Sequence, residues 1–180
     1  MRHEGDRGTT SIHHATDRIE KDDIRIEANG ALDELNATME LIRTLIPTDQ
    51  QTRYERFDVL QRWLMIVQTY VMTPERYRDR LSVILPTGMA QYCECWIDEL
   101  DPSLHAADYV MHNGAPSNKP ENFHRSVLQA QLNLARTVTR RAERRLWSLN
   151  NEDPVPAEVL YFINRLSDLF LTLARTIDTK

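Results

Sequence analysis

Apolar residues recur at helical spacing along most of this chain. Within residues 22–46, Leu32, Leu35, Met39, Ile42 and Ile46 are spaced 3, 4, 3 and 4, which puts them on one face of a helix that Pro47 stops. Within 52–73, Phe57, Leu60, Leu64, Val67 and Val71 repeat the same intervals, a seam suited to a bundle, and Pro74 ends it. A short helix is expected over 75–84 and another over 88–100, before Asp101 and Pro102. Two long helices are predicted at 123–150 and 156–177, parted by the segment Asn150 to Pro156. Leu134, Val138, Ala142, Leu146 and Leu149 form the apolar stripe of the first, and Phe162, Leu166, Phe170 and Leu173 that of the second. Residues 1–21 read as polar and irregular, and 103–122, with Gly114, Pro116 and Pro120, as a long loop. Five glycines are too few for a turn-rich β fold. The expectation is an all-α, up-and-down, ferritin-like bundle of about five helices: one domain over 1–180, with an N-terminal loop at 1–21 and the bundle at 22–177.

The polar faces of the last two helices carry the chemistry. At about 100° per residue, Arg140, Glu143 and Arg144 fall between about −20° and about 80° of Arg136, away from the apolar stripe. Arg141, at about 140°, is expected at the stripe's edge, partly buried or at an interface. Tyr161, Asp168 and Arg175 lie within about 60° of Asn164. An Arg/Glu face beside an Asn/Asp/Arg face suits a polyanion that carries a sugar: guanidinium groups hold phosphate, and a carboxylate accepts from ribose. Glu4 to Ser11 is a Gly-rich polar loop whose backbone N–H groups can converge on phosphate, although on its own such a segment reads first as a frayed tail. Asp33 sits on the polar side of its helix beside Glu34. It reads as an exposed acid or as an ion-pair partner for one of the arginines, within a subunit or between subunits. Of six scattered histidines, only His112, with Tyr109 in the long loop, suggests a pocket lining.

Composition narrows the classes. A hydrophobic fraction of 41% supports a core at this length, and a net charge of −5 argues against nucleic acid as partner. No apolar run approaches the roughly 18 residues of a membrane span, and the start of the chain has no signal-peptide pattern. Cys93 and Cys95 point to different sides of a helix, so a disulfide between them is not expected and a reducing, cytoplasmic setting fits. No Cys/His or HisGluXaaXaaHis spacing predicts a protein-held metal.

Four blocks, in order, resemble the propanediol-utilisation type of ATP:cob(I)alamin adenosyltransferase: Gly5–Ser11, Lys21–Asn36, Ala135–Arg144 and Phe162–Phe170. The resemblance implies a homotrimer of five-helix bundles that binds ATP between neighbouring subunits, with cobalamin beside it and Mg2+ on the triphosphate. The implied reaction moves the 5′-deoxyadenosyl group of ATP onto the cobalt of cob(I)alamin and releases triphosphate. It also implies service by a cob(II)alamin reductase and delivery to an adenosylcobalamin-dependent enzyme. By position, Gly5, Asp6, Gly8 and Thr10 would build the phosphate loop and Lys21 would neutralise phosphate. Arg140 and Arg144 would hold the triphosphate, and Glu143 and Asn164 the nucleoside. Asp33 and Arg136 would form a salt bridge between subunits on the cobalamin side. The chain departs from the family pattern at Arg2, where a threonine is usual, and at Asn29, where a tyrosine is usual. The larger departure is Tyr109–Gly114, where the family reads PheIleLeuProGlyGly. There Tyr109 stands for the phenylalanine that packs where cobalamin's lower ligand would sit. Two alternatives stay open on these residues: a non-catalytic ATP-binding carrier or sensor of cobalamin with the same fold, and a helical module whose Arg face binds an acidic partner.

Overall fold

The computed structural model describes residues 4–16, 18–100 and 123–176. Among them, five α-helices form: α1 Ile24–Leu45, α2 Gln51–Val71, α3 Met89–Leu100, α4 Phe123–Asn150 and α5 Ala157–Thr176. All five fall within about two residues of the expected boundaries. Asp23 starts α1 by accepting a hydrogen bond from the Arg25 backbone N–H at 2.7 Å, satisfying one of the helix's orphan donors. α4 packs between α1 and α5, α2 lies on α1, and α3 lies on α5. Aromatic rings close the bundle on the other side. Phe57 of α2 meets Trp96 of α3 edge-on at 5.8 Å and Phe170 of α5 at 6.3 Å, and Trp63 meets Tyr92 at 5.0 Å and Phe162 at 6.0 Å. These offset and edge contacts are the arrangements that ring quadrupoles favour. The seams predicted for α1 and α2 are buried throughout, as are Phe162, Leu166, Phe170 and Leu173.

Three local readings change. The 75–84 segment is a 3-10 helix, Glu75–Arg80, with no buried residue; lacking an apolar stripe, it has nothing to hold a longer helix against the bundle. Leu134 is 48% exposed. The buried line of α4 runs instead through Leu128, Leu132, Ala135, Val138, Ala142, Leu146 and Leu149, and Leu134 stands off its edge. The N-terminal segment is built rather than irregular. A 3-10 turn at Glu4–Arg7 leads into β1 (Thr9–Thr10), which pairs antiparallel with β2 (Ile19–Glu20) in the register Thr9↔Glu20 and Thr10↔Ile19.

Both cysteines are free: Cys93 is fully buried and Cys95 exposed. Burial, helped by Glu94, pushes the Cys93 thiol far above the usual range. Only a thiolate reacts readily with disulfide reagents. The native protein is expected to show one titratable thiol with such a reagent and two in denaturant; two fast native thiols would contradict this packing. Among the described residues, no helix is long and apolar enough to cross a membrane.

Candidate functional site

Two pieces of structure lie toward one end of the bundle. The first is the N-terminal hairpin. Gly8 has a φ of +84°, a left-handed conformation that side chains resist and glycine adopts freely. That turn lets the Gly8 carbonyl accept from the Lys21 backbone N–H at 2.7 Å, while the Gly8 N–H donates to the Gly5 carbonyl at 3.3 Å. The Lys21 ammonium lies beside Gly5, 3.7 Å from where a β-carbon on that residue would be. Gly5, Gly8, Thr10 and Lys21 are thus brought together, with Asp6 exposed on the same turn. Arg18 stitches the loop: its Nε donates to Thr9 Oγ1 at 2.9 Å, and its two Nη groups donate to Ser11 Oγ at 3.0 Å and the Thr9 carbonyl at 2.8 Å. Nothing in the sequence signals Arg18, because it stands in a polar stretch without periodicity.

The second piece is the outward face of α4 and α5. The Asn164 amide donates to Glu143 Oε1 at 2.9 Å. Each residue keeps an oxygen, Asn164 Oδ1 and Glu143 Oε2, without a protein partner among the described residues. The five arginines between positions 136 and 145 of α4 divide by partner. Arg141 pairs with Glu34 and Arg145 with Glu27 at 3.5 Å, so these two bind α4 to α1. Arg136 is half-buried. Arg140 and Arg144 are exposed, and among the described residues neither has a carboxylate within ion-pair distance. Arg141, expected partly buried or at an interface, has a side chain 45% exposed in an ion pair with α1. The Glu27–Arg145 contact fixes the geometry of the end. It ties the first turn of α1, three residues after β2, to the last turns of α4, so the hairpin and the Arg140/Arg144 face share one end.

Four cations, Arg7, Lys21, Arg140 and Arg144, lie exposed on these two pieces. Like charges placed together repel and cost stability unless an anion joins them. The described residues contain no group of three or more His, Cys, Asp or Glu side chains that could hold a metal ion.

Asp33 and Arg136 are not brought together within the chain. Asp33 is exposed on α1 toward α2, with Gln68 Nε2 at 3.5 Å. Its neighbour Glu34 takes the arginine instead. Tyr109 and His112 lie outside the described residues.

The family model for cobalamin adenosyltransferase matches residues 1–177. The chain is 30% identical over 178 residues to a corrinoid adenosyltransferase of Citrobacter freundii, covering 97% of this chain and 92% of that protein. It is 33% identical over 184 residues to the corrinoid adenosyltransferase PduO of Salmonella typhimurium, covering 97% of this chain and 48% of that longer protein. Among solved structures, a phenylalanine-to-alanine variant of the PduO-type ATP:corrinoid adenosyltransferase from Lactobacillus reuteri, complexed with cobalamin and ATP, superposes with a TM-score of 0.80. It is 30% identical, and the match covers 98% of this chain and 91% of that one. An arginine-to-lysine variant from the same organism, complexed with ATP, gives a TM-score of 0.76 at 30% identity, covering 96% of this chain and 90% of that one.

Proposed function

Because the chain belongs to the cobalamin adenosyltransferase family, we propose that it adenosylates reduced cobalamin with ATP. Co(I) attacks the ribose 5′-carbon, a Co–C bond forms, the C5′–O5′ bond breaks, and both electrons of that bond leave with triphosphate. The protein's task is to hold a highly charged leaving group and aim a carbon centre, a problem of positioning and charge more than of acid–base catalysis. The observation that carries this reading is the Arg140/Arg144 face, without acidic partners among the described residues, beside the Glu143–Asn164 pair, at the end of the bundle where Lys21 and the Gly5–Thr10 turn lie.

In this reading Arg140, Arg144 and Lys21 neutralise the triphosphate, and backbone donors of the Gly5–Gly8 turn, with Asp6 and Thr10, shape its cradle. Glu143 accepts from ribose hydroxyls while Asn164 holds it in place. Mg2+ would come with the triphosphate, as its counter-ion. Asp33 meets Arg136 of a neighbouring copy in a homotrimer, so the cobalamin side of the site is completed between subunits. Tyr109 supplies the ring on cobalamin's lower axial side. The setting is cytoplasmic, with a cob(II)alamin reductase upstream and an adenosylcobalamin-dependent enzyme downstream.

The test is direct. Purified protein with ATP and chemically reduced cob(I)alamin is expected to give the visible spectrum of adenosylcobalamin with one equivalent of triphosphate. ATP binding without any spectral change would replace the enzyme with a carrier.

A further inference from the structure

A two-stranded hairpin with two residues in each strand is too small to be stable alone, so something must hold the N-terminal hairpin to the bundle. One contact away from α1 is a backbone bond, from the His13 N–H to the Met72 carbonyl at 3.2 Å. Met72 is the residue that ends α2. The carbonyls on both sides of it are gripped by arginines. Arg25, in the first turn of α1 and only 6% exposed, donates to the Val71 carbonyl. Arg78 Nε donates to the Tyr70 carbonyl at 3.3 Å and to the Thr73 carbonyl at 3.2 Å.

Both arginines meet one carboxylate. Asp153 Oδ2 lies 2.6 Å from Arg25 Nη2 and 3.6 Å from Arg78 Nη2. The same carboxylate accepts from the Glu75 backbone N–H at 3.1 Å, and Arg78 donates to the Pro154 carbonyl. Burial pulls the Arg78 guanidinium below its ordinary pKa; Asp153 works against that and Arg25 adds to it. Asp153 belongs to the α4–α5 connection, the segment that separates Glu143 from Asn164.

We infer that Asp153 is a positioning residue for the nucleotide. Its carboxylate clamps Arg25 and Arg78 onto the end of α2, and so fixes the Met72 carbonyl on which the hairpin hangs relative to the α4–α5 face. The two halves of the phosphate site are held in register by one side chain that touches neither phosphate nor sugar. This rests on the adenosyltransferase reading for its nucleotide, but the clamp itself does not.

Asp153→Asn keeps the shape and leaves two close guanidinium groups without their shared counter-charge. Arg25→Lys keeps the charge, but its single ammonium cannot bridge the Val71 carbonyl and Asp153 with a planar fork, and it is the milder variant should the first fail to fold. The expected result in either is hydrogen exchange of the His13 and Lys21 amides about tenfold faster in nucleotide-free protein, with amides in the middle of α2 and α5 unchanged. The KM for ATP is expected to rise about tenfold, while kcat and the KM for cob(I)alamin move by less than about threefold. Hairpin amides protected as in the parent, or exchange rising uniformly through all helices, would overturn the clamp. An unchanged KM for ATP with a loosened hairpin would overturn its role for the nucleotide. The exchange measurement needs no substrate, so a parent that fails to adenosylate cobalamin removes the functional reading and still leaves the clamp decided.

Discussion

Arg140→Ala is expected to weaken ATP binding by about one to two orders of magnitude, the loss of a charge-assisted hydrogen bond to phosphate worth roughly 1.5–3 kcal/mol. The structure makes this a clean experiment. Arg140 is exposed and, among the described residues, has no acidic partner, so its removal orphans no carboxylate and costs the fold little. Arg141→Ala, one residue along, is the built-in contrast. It breaks the surface pair with Glu34, both side chains about half exposed, an interaction worth at most about 1 kcal/mol to the fold, and it is expected to leave ATP affinity within about twofold because that guanidinium is turned to α1 rather than outward. Calorimetric titration of both variants decides it. Equal affinities for parent and Arg140→Ala in folded protein would remove Arg140 from the site, and a larger loss at Arg141 would exchange their roles.

That contrast also marks how far the sequence is legible. The helices were readable because their apolar residues recur every 3 or 4 positions and prolines cut between them; Phe57, Leu60, Leu64, Val67 and Val71 are all buried as their spacing predicts. The same periodicity separates Glu143 and Arg140 from the core, but it has no resolution near the edge of a stripe. Leu134 and Arg141 both stand there, and Leu134, expected in the stripe, is 48% exposed. Which of two adjacent acids finds an arginine is likewise a matter of how α1 and α4 face each other: Glu34 meets Arg141, and Asp33 turns toward Gln68. The hairpin was legible only as a glycine-rich loop, because two-residue strands carry no alternation to read. Arg18, Arg25, Arg78 and Asp153 were not legible at all. They act through backbone carbonyls and through each other across as many as 128 residues of sequence, and no local pattern encodes a contact of that range.

Asp33→Asn is expected to lower turnover by about two orders of magnitude while changing ATP affinity by less than about threefold. Among the described residues, Asp33 is exposed and reaches only Gln68, so the isolated subunit gives its charge little to do and the substitution is expected to leave the subunit's own stability nearly unchanged. If a neighbouring copy covers this face and brings Arg136 to Asp33, the same substitution breaks a pair withdrawn from water and takes a counter-charge from that guanidinium, a cost of about 3 kcal/mol. Spent at the site, about 3 kcal/mol is roughly a hundredfold in rate. The charge lost is on the corrinoid side, whereas the triphosphate is held by Arg140, Arg144 and Lys21, so the effect falls on turnover and on the KM for cobalamin rather than on ATP. Two measurements fix the outcome together. Light scattering at micromolar concentration is expected to give three times the 21.0 kDa subunit mass for the parent, and Arg136→Ala is expected to reproduce the kinetic defect with no further loss when combined with Asp33→Asn. A monomeric parent, or two defects that simply add, would separate the residues and return Asp33 to the role of a surface acid.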